Sequence, residues 1–207
     1  MVFNPDIHHR HSIRLKDYDY SQAGAYFVSL CSWQRECLFG YIVDGEMRLN
    51  DLGQVVESVW CGLARHFISL DLDQHVIMPN HFHGILQIND TVIKDNVGAI
   101  ARPHRASPGF DDDSGKGEAG VALASPLLLH GTVSGSFAAA IQNFKSVSTR
   151  KINKIRQNPG CPVWQRNYYE RVIRNDSELG RAREYIINNP LKWELDEENP
   201  ANQQQPT

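Results

Sequence analysis

Several features that would place a chain of 207 residues in a particular class of protein are missing from this sequence. No apolar run approaches the length of a membrane span, and residues 1–10 lack the hydrophobic segment of a secretory signal peptide. The four cysteines match no zinc-binding spacing. These absences argue against a membrane protein and a zinc-binding domain. They predict a cytoplasmic chain in which disulfides are not expected.

A net positive charge is also missing, since the whole chain carries −3. The charge is nevertheless divided along the sequence. Residues 136–193 contain eleven Lys and Arg against four Asp and Glu, a local balance of +7, whereas residues 194–207 contribute −4. Phosphate binding depends on the local field at a groove rather than on total charge. The second half of the chain is therefore compatible with nucleic-acid binding, although a solvated helix face would have a similar composition.

Hydrophobic periodicity predicts an α+β fold with helices packed on an antiparallel sheet. The predicted strands cover residues 26–33, 37–43, 47–49, 73–78, 82–88 and 172–173. The segment 37–43 is expected to pair with the first strand, and Asp44-Gly45 is a turn signal. Asn50 is expected to cap a helix of about eighteen residues, and residues 135–155 form a second predicted helix.

The domain organisation follows from where these patterns stop. Residues 1–193 are predicted to form one domain. Between about 89 and 132 the periodicity dissolves into a stretch too long for an ordinary connection in a compact domain, which predicts a flexible insertion. Residues 194–207, acidic and then rich in Asn and Gln, are predicted to be a disordered tail.

Two histidines stand two positions apart in the segment 75–86, HVIMPNHFHGIL. Side chains alternate faces along a strand, so His81 and His83 share a face, and two imidazoles side by side can hold a divalent metal. Two histidines that merely face water are the commoner explanation of an isolated pair. Pro79 leaves open whether the flanking segments form a hairpin or one broken strand, so His75 is left out of the candidate site.

A helix of about three turns is predicted over residues 179–190, with Asp176 or Ser177 as its N-cap and Pro190 as the stop signal. Tyr185 and Asn189 are four residues apart and share one face of it. A phenol beside an amide oxygen would offer a nucleophile and a third metal ligand. A buried tyrosine with an asparagine near the helix end is the alternative.

The chain resembles the REP-associated tyrosine transposases, within the HUH transposases that carry a single catalytic tyrosine. The resemblance is carried by residues 78–84 (MPNHFHG) and 185–190 (YIINNP), together with other segments in the same order along the chain. Those segments are residues 12–16, 19–21, 25–28, 37–40, 144–146 and 163–169. The resemblance implies the ferredoxin-like fold of the HUH nucleases.

The resemblance also implies a mechanism. His81, His83 and Asn189 would hold one Mg²⁺ or Mn²⁺, and Tyr185 would attack a phosphate of single-stranded DNA beside a hairpin, as in REP-like palindromes. The products would be a 5′-phosphotyrosine and a free 3′-hydroxyl. Tyr168 and Tyr169 are rival nucleophiles by residue type. The resemblance leaves a monomer and a homodimer both open.

Aromatic and basic residues that interleave after the second predicted helix suit stacking on bases with phosphate contacts between them. The candidate DNA-binding residues are Lys145, Arg150, Lys151, Trp164, Arg166, Tyr168 and Arg171. Core aromatics with ordinary surface arginines would give the same pattern. The other functions left open are a hairpin-DNA-binding protein that does not cut, a replication initiator or relaxase of the HUH type, and a metal hydrolase without a covalent step.

Overall fold

The computed structural model describes residues 22–89 and 135–202 of the chain. The strands are β1 (Gly24–Cys31), β2 (Gly40–Val43), β3 (Glu46–Leu49), β4 (Leu70–Ile77), β5 (His81–Ile88) and β6 (Tyr169–Ile173). The helices are α1 (Asp51–Cys61), α2 (Leu63–His66), α3 (Phe137–Ile155) and α4 (Asp176–Asn188). Short 3₁₀ turns cover Trp33–Arg35, Pro190–Leu195 and Pro200–Asn202.

Four strands form the main sheet in the order β4-β5-β1-β6, and every neighbouring pair is antiparallel. The chain order β1, α1, β4, β5, α3, β6 with this strand order is the ferredoxin-like arrangement. The predicted α+β fold, with helices on an antiparallel sheet, is therefore confirmed. The central strand β5 carries His81 and His83, the two candidate metal ligands.

The two faces of the sheet are covered by different helices. Side chains of β1 alternate between them, so that Tyr26, Val28 and Leu30 join the large core with α1 and α3. The opposite face carries a smaller cluster in which Phe27 and Ile85 meet Ile186 of α4. Helix α4 thus packs on the face of β5 that presents the odd-numbered residues, which include both histidines.

The hairpin near the start of the chain differs from the prediction in its partner. Strand β2 pairs with β3, not with β1, in a separate two-stranded sheet. The predicted turn is present, since Asp44 and Gly45 adopt the positive φ angles of 52° and 75° that a tight hairpin turn requires. The predicted pairing with the first strand is wrong because β6, far along the chain, takes that edge of β1.

The alternative left open at Pro79 is resolved as a hairpin between β4 and β5. It closes with a bond from the Met78 N–H to the His81 carbonyl at 2.8 Å. The His75 ring lies 6.2 Å from that of Trp60, on the α1 and α3 side of the sheet. Its exclusion from the candidate site agrees with this geometry.

Helix boundaries shift modestly from those predicted. The Asn50 side chain caps α1 as expected, accepting from two backbone N–H groups at 3.0 Å each. The helix is shorter than predicted because it is interrupted at Gly62, after which the four-residue α2 begins. The N-cap of α4 is Asn175, whose side chain accepts from the Glu178 N–H, rather than Asp176 or Ser177.

The structure describes most of the predicted tail but almost none of the predicted insertion. Apart from Asn89, the segment 89–132 lies outside the described residues. The tail, predicted to be disordered, is folded over residues 194–202 in turns that lie against the rest of the domain. Among the helices of the described ranges, none is both long and apolar enough to cross a membrane.

Candidate active site

The two histidines of the His-x-His pair stand side by side on β5, facing α4. Their rings are 4.7 Å apart, and only 1% of His81 and 6% of His83 is exposed. Burial lowers the pKa of His81 below its usual 6.5, although Asp196 acts in the opposite direction. Burial lowers the pKa of His83 further, with a contribution from His81. Both rings are therefore neutral at pH 7, the form that binds metals.

Asn80 fixes the orientation of His81. Its amide nitrogen donates to the carbonyls of Arg35 at 3.1 Å and Glu198 at 2.6 Å. The amide oxygen must then face His81 Nδ1, 2.9 Å away, because the reverse orientation would set that oxygen against two carbonyls. Nδ1 consequently carries the proton and donates it to Asn80. In the neutral ring this leaves a lone pair on Nε2, which is buried without a hydrogen-bond partner.

His83 is held from the neighbouring strand in a similar way. The Ser29 hydroxyl of β1 lies within hydrogen-bond distance of its Nδ1. The other ring nitrogen, Nε2, is 3.3 Å from the Tyr185 hydroxyl. Both histidines thus meet protein groups through Nδ1, and both direct Nε2 to the cavity under α4.

Tyr185 reaches the histidines because α4 is docked on the sheet through one face. Its ring packs edge-on to His83, with the ring centroids 5.1 Å apart. Beside it on the helix, Arg183 donates two bonds to the Asp73 carboxylate of β4 at 2.9 and 2.6 Å. Burial first, and Asp196 second, raise the pKa of Tyr185 above 10.0, although Asn189 acts in the opposite direction. The free phenol is therefore protonated at neutral pH.

Asn189 follows the last residue of α4, one turn beyond Tyr185. It is 3% exposed, and its Oδ1 is buried without a hydrogen-bond partner. The Asn189 amide nevertheless lies close enough to raise the pKa of His81 and to lower that of Tyr185, although its contact with His81 does not meet the geometry of a hydrogen bond. The structure thus brings together His81, His83, Tyr185 and Asn189, the four residues at the centre of the sequence prediction.

The ligand atoms that these side chains offer fit a divalent cation. His81 Nε2 and Asn189 Oδ1 are acceptors without a hydrogen-bond donor, and burying such atoms unpaired is costly. An imidazole nitrogen and an amide oxygen are ordinary ligands of Mg²⁺-like and transition-metal ions. Within residues 22–89 and 135–202, no three His, Cys, Asp or Glu side chains are grouped to hold a metal ion. An ion held by both histidines would therefore need the Asn189 oxygen as its third ligand.

These residues line a cavity of about 680 Å³. The sequence did not predict the far wall of this cavity. That wall consists of Leu195, Asp196, Glu197 and Glu198, in the tail predicted to be disordered. Glu198 pairs with Arg35 at 2.9 Å, and the Trp193 ring lies 6.0 Å from that of His81. The tail is held by such specific contacts, and the half-buried Trp193 just before it is a sequence signal that could have indicated them.

The rival tyrosines are placed differently from Tyr185. Tyr169 lines the same cavity, is 41% exposed and, like Tyr185, packs edge-on to Phe27. Tyr168 is half-buried and lies 6.2 Å from the Phe137 ring. Tyr185 is the tyrosine whose hydroxyl lies against a histidine nitrogen, which favours it as the nucleophile.

One predicted DNA-stacking residue is a core residue instead. Trp164 is 6% exposed and packs between Phe39 and Phe144, at ring distances of 4.9 and 5.6 Å. Its Nε1 donates to the buried Ser148 hydroxyl at 2.9 Å. This burial argues against the predicted stacking of Trp164 on bases, because only a small part of its ring is accessible from the groove beside α3.

The other candidate DNA-binding residues fall into separate places. A groove of about 630 Å³ beside α3 is lined by Lys145, Arg150, Arg166 and Tyr168, with Trp164 at its floor. Lys145 is half-buried and donates to the carbonyls of residues 165 and 166 at 2.7 and 2.9 Å. Lys151 is exposed on α3 outside this groove. Arg171 lies on β6, in another cavity of about 480 Å³ with Tyr185, and its guanidinium is 3.5 Å from Glu178.

Comparison with known proteins gives one sequence relative and one informative fold neighbour. No protein-family model matches the chain. An uncharacterized protein of Haemophilus influenzae strain Rd is 37% identical over 198 residues, covering 94% of this chain and 96% of that protein. A REP-associated tyrosine transposase, solved bound to a REP hairpin, is 17% identical with a TM-score of 0.50, covering 88% of this chain and 74% of that one. The chain therefore belongs to the same family as the Haemophilus influenzae protein, and its fold is similar to that of the REP-associated tyrosine transposase.

Proposed function

We propose that this protein is a metal-dependent transposase that cleaves and rejoins single-stranded DNA next to hairpins through a 5′-phosphotyrosine on Tyr185. One observation carries the proposal. The Tyr185 hydroxyl lies 3.3 Å from His83 Nε2, at the edge of the cavity where His81 and Asn189 direct unpartnered acceptor atoms. A nucleophile beside a prepared cation site is what phosphoryl transfer requires.

The metal would be Mg²⁺ or Mn²⁺, held by His81, His83 and Asn189. When bound, such an ion offsets the negative charge that builds up on the scissile phosphate. The protein keeps these ligands in the correct form. Asn80 leaves a lone pair on His81 Nε2, and Ser29 contacts Nδ1 of His83. Hydrogen bonds to the ring nitrogen that does not bind the metal commonly orient metal-binding histidines.

Tyr185 would form a bond from its phenolic oxygen to phosphorus while the bond from phosphorus to the 3′-oxygen breaks. The 5′ end stays on the protein, and the other strand leaves with a free 3′-hydroxyl. Because the pKa of Tyr185 is raised, its phenol must lose the proton as the bond to phosphorus forms, and the leaving 3′-oxygen takes up a proton to become the hydroxyl. Attack by another 3′-hydroxyl reverses the reaction and joins strands without an external energy source.

The DNA would lie across Tyr185, with the basic groove beside α3 on one side. The α3 groove that contains Lys145, Arg150 and Arg166 shares Tyr168 with the main cavity. Its charges suit the phosphates of a hairpin, and such contacts position nucleic acid without reading its sequence. The fold neighbour was solved bound to a REP hairpin, which makes hairpin DNA the first substrate to test.

A single chain contains all the proposed catalytic groups. Helix α4 packs on β4 and β5 of the same copy, so Tyr185 meets the histidines of its own chain. A homodimer that exchanged this helix would assemble the same groups from two copies. We propose that the monomer is sufficient for cleavage.

The experiment is a search for a covalent adduct. The purified protein is incubated with labelled single-stranded hairpins and Mn²⁺, and the products are separated on denaturing gels. We expect a protein-linked DNA band whose attachment maps to Tyr185. Tyr185→Phe should abolish the band while hairpin affinity stays within about two-fold, because the substitution removes only the hydroxyl and the aromatic ring keeps its packing.

Tyr169→Phe is the matched control, since it removes another phenol from the same cavity. It should retain the adduct. An adduct that persists in Tyr185→Phe and disappears in Tyr169→Phe would show that the nucleophile is misassigned. Hairpin binding without an adduct would identify a binding protein, and cutting without an adduct would identify a metal hydrolase.

A further inference from the structure

Asp196 is held over the candidate metal site by its own turn. One carboxylate oxygen, Oδ1, accepts from the Glu198 N–H at 2.7 Å. The Asp196 carbonyl accepts from the Asn199 N–H at 3.0 Å and from the Asn202 side chain at 2.9 Å. Only 14% of the Asp196 side chain is exposed. The turn therefore fixes where the second oxygen, Oδ2, points.

That second oxygen faces His81. Its distance from Nε2 is 3.9 Å, longer than the 2.7–2.9 Å typical of charge-assisted hydrogen bonds. The proton of the His81 ring is already on Nδ1, where Asn80 accepts it. Asp196 Oδ2 and the Nε2 lone pair are thus two electron-rich atoms facing each other with no hydrogen between them. The unpartnered Asn189 oxygen lies at the same edge.

The proposed ligands leave the metal site without negative charge. Neutral imidazoles and an amide would hold a divalent ion with no anion beside it, whereas Mg²⁺ and Mn²⁺ are usually bound with carboxylate help. Among the acidic residues of the cavity wall, Asp196 is the one placed against a proposed ligand. Glu198 is engaged by Arg35.

Building on the proposed function, we propose that Asp196 supplies the negative charge of the metal site, with its Oδ2 facing the ion held by His81, His83 and Asn189. Asp196 does not complete a compact three-residue cluster with the two histidines in the described structure. It therefore acts from the edge of the coordination sphere and is a positioning residue for the ion, not a third inner ligand. Groups in this outer position typically change metal affinity by about 10- to 100-fold.

The test measures Mn²⁺ binding directly, without DNA, from the electron paramagnetic resonance signal of free Mn²⁺ over the purified full chain. Asp196→Asn removes the charge but keeps an oxygen that accepts from the Glu198 N–H. We expect it to weaken Mn²⁺ binding about 10- to 100-fold. Glu197→Gln is the matched control, because it removes the same charge one residue along in the same cavity wall. Its affinity should stay within about three-fold of the wild type, since charges nearer to water are screened.

Three outcomes would overturn the proposal. They are unchanged or tighter Mn²⁺ binding in Asp196→Asn, equal weakening in Glu197→Gln, and wild-type Mn²⁺ binding that His81→Ala does not reduce. Recovery of adduct formation by Asp196→Asn at saturating Mn²⁺ would support it, since a collapsed site would not recover. The adduct assay on the wild type decides the proposed function separately. An adduct with normal Mn²⁺ affinity in Asp196→Asn would refute the role of Asp196 alone.

Discussion

Replacing Ile186 with alanine should loosen the helix that carries the proposed nucleophile. Ile186 is the one buried residue of α4, 1% exposed, and it packs on Phe27, Ile85 and Ile173. The change removes three carbon groups, worth about 2.4 kcal/mol at roughly 0.8 kcal/mol each. The cavity left behind adds to this, and such substitutions cost about 2–5 kcal/mol. We expect the free energy of unfolding to fall by about 3 kcal/mol.

Urea denaturation measures that loss, and Ile187→Ala is the matched control. Ile187 is the next residue on the same helix, but it is 62% exposed. Its truncation should cost less than about 1 kcal/mol, part of which is offset by the higher helix propensity of alanine. Adduct formation should also slow in Ile186→Ala, because Tyr185 is held against His83 only while α4 stays docked. Equal losses of stability in the two variants would refute the view that Ile186 docks the helix.

Two further predictions concern burial. Ser148→Ala should lower the free energy of unfolding by about 1–3 kcal/mol, because it leaves the buried Trp164 Nε1 without an acceptor. The hairpin affinity of Trp164→Phe, measured by filter binding, should stay within about two-fold of the wild type. A clear loss of affinity in this variant would instead indicate that Trp164 stacks on bases. In metal-free buffer, the free energy of unfolding should fall as the pH drops below 6.5. Burial lowers the pKa of His81 and His83 in the folded state, so the unfolded chain takes up protons at a higher pH than the folded chain. Each histidine therefore lowers the free energy of unfolding by up to about 1.4 kcal/mol per pH unit, until it is also protonated in the folded state. A flat stability profile between pH 7.5 and 5.5 in urea titrations would contradict the burial of neutral histidines.

The sequence predicted the centre of the site because its spacings are local. Two residues along a strand place His81 and His83 on one face, and four along a helix place Tyr185 and Asn189 together. The contact between these two pairs is not local. It was available from the family resemblance, and the structure shows its geometry through the Tyr185 hydroxyl beside His83.

Contacts over long sequence separations account for the errors. Acidic composition predicted a disordered tail, but Glu198 is held by Asn80, 118 positions away, through its carbonyl. In the sequence, a tryptophan that lies among arginines is compatible with base stacking and with a place in the hydrophobic core. The contacts of Trp164 with Phe39 and Ser148 favour the core. The pairing of β2 was predicted wrongly because β6 takes the free edge of β1.

The long connection between β5 and α3 is attached at the end of β5 remote from the histidines. His81 begins the strand and Ile88 ends it, and seven steps of about 3.3 Å separate them by roughly 23 Å. The Asn89 N–H bonds to the Ser69 carbonyl at 2.8 Å, which anchors the chain where it leaves the sheet. A change in the length or sequence of this connection would therefore leave the spacing of the proposed catalytic groups on β5 unaltered.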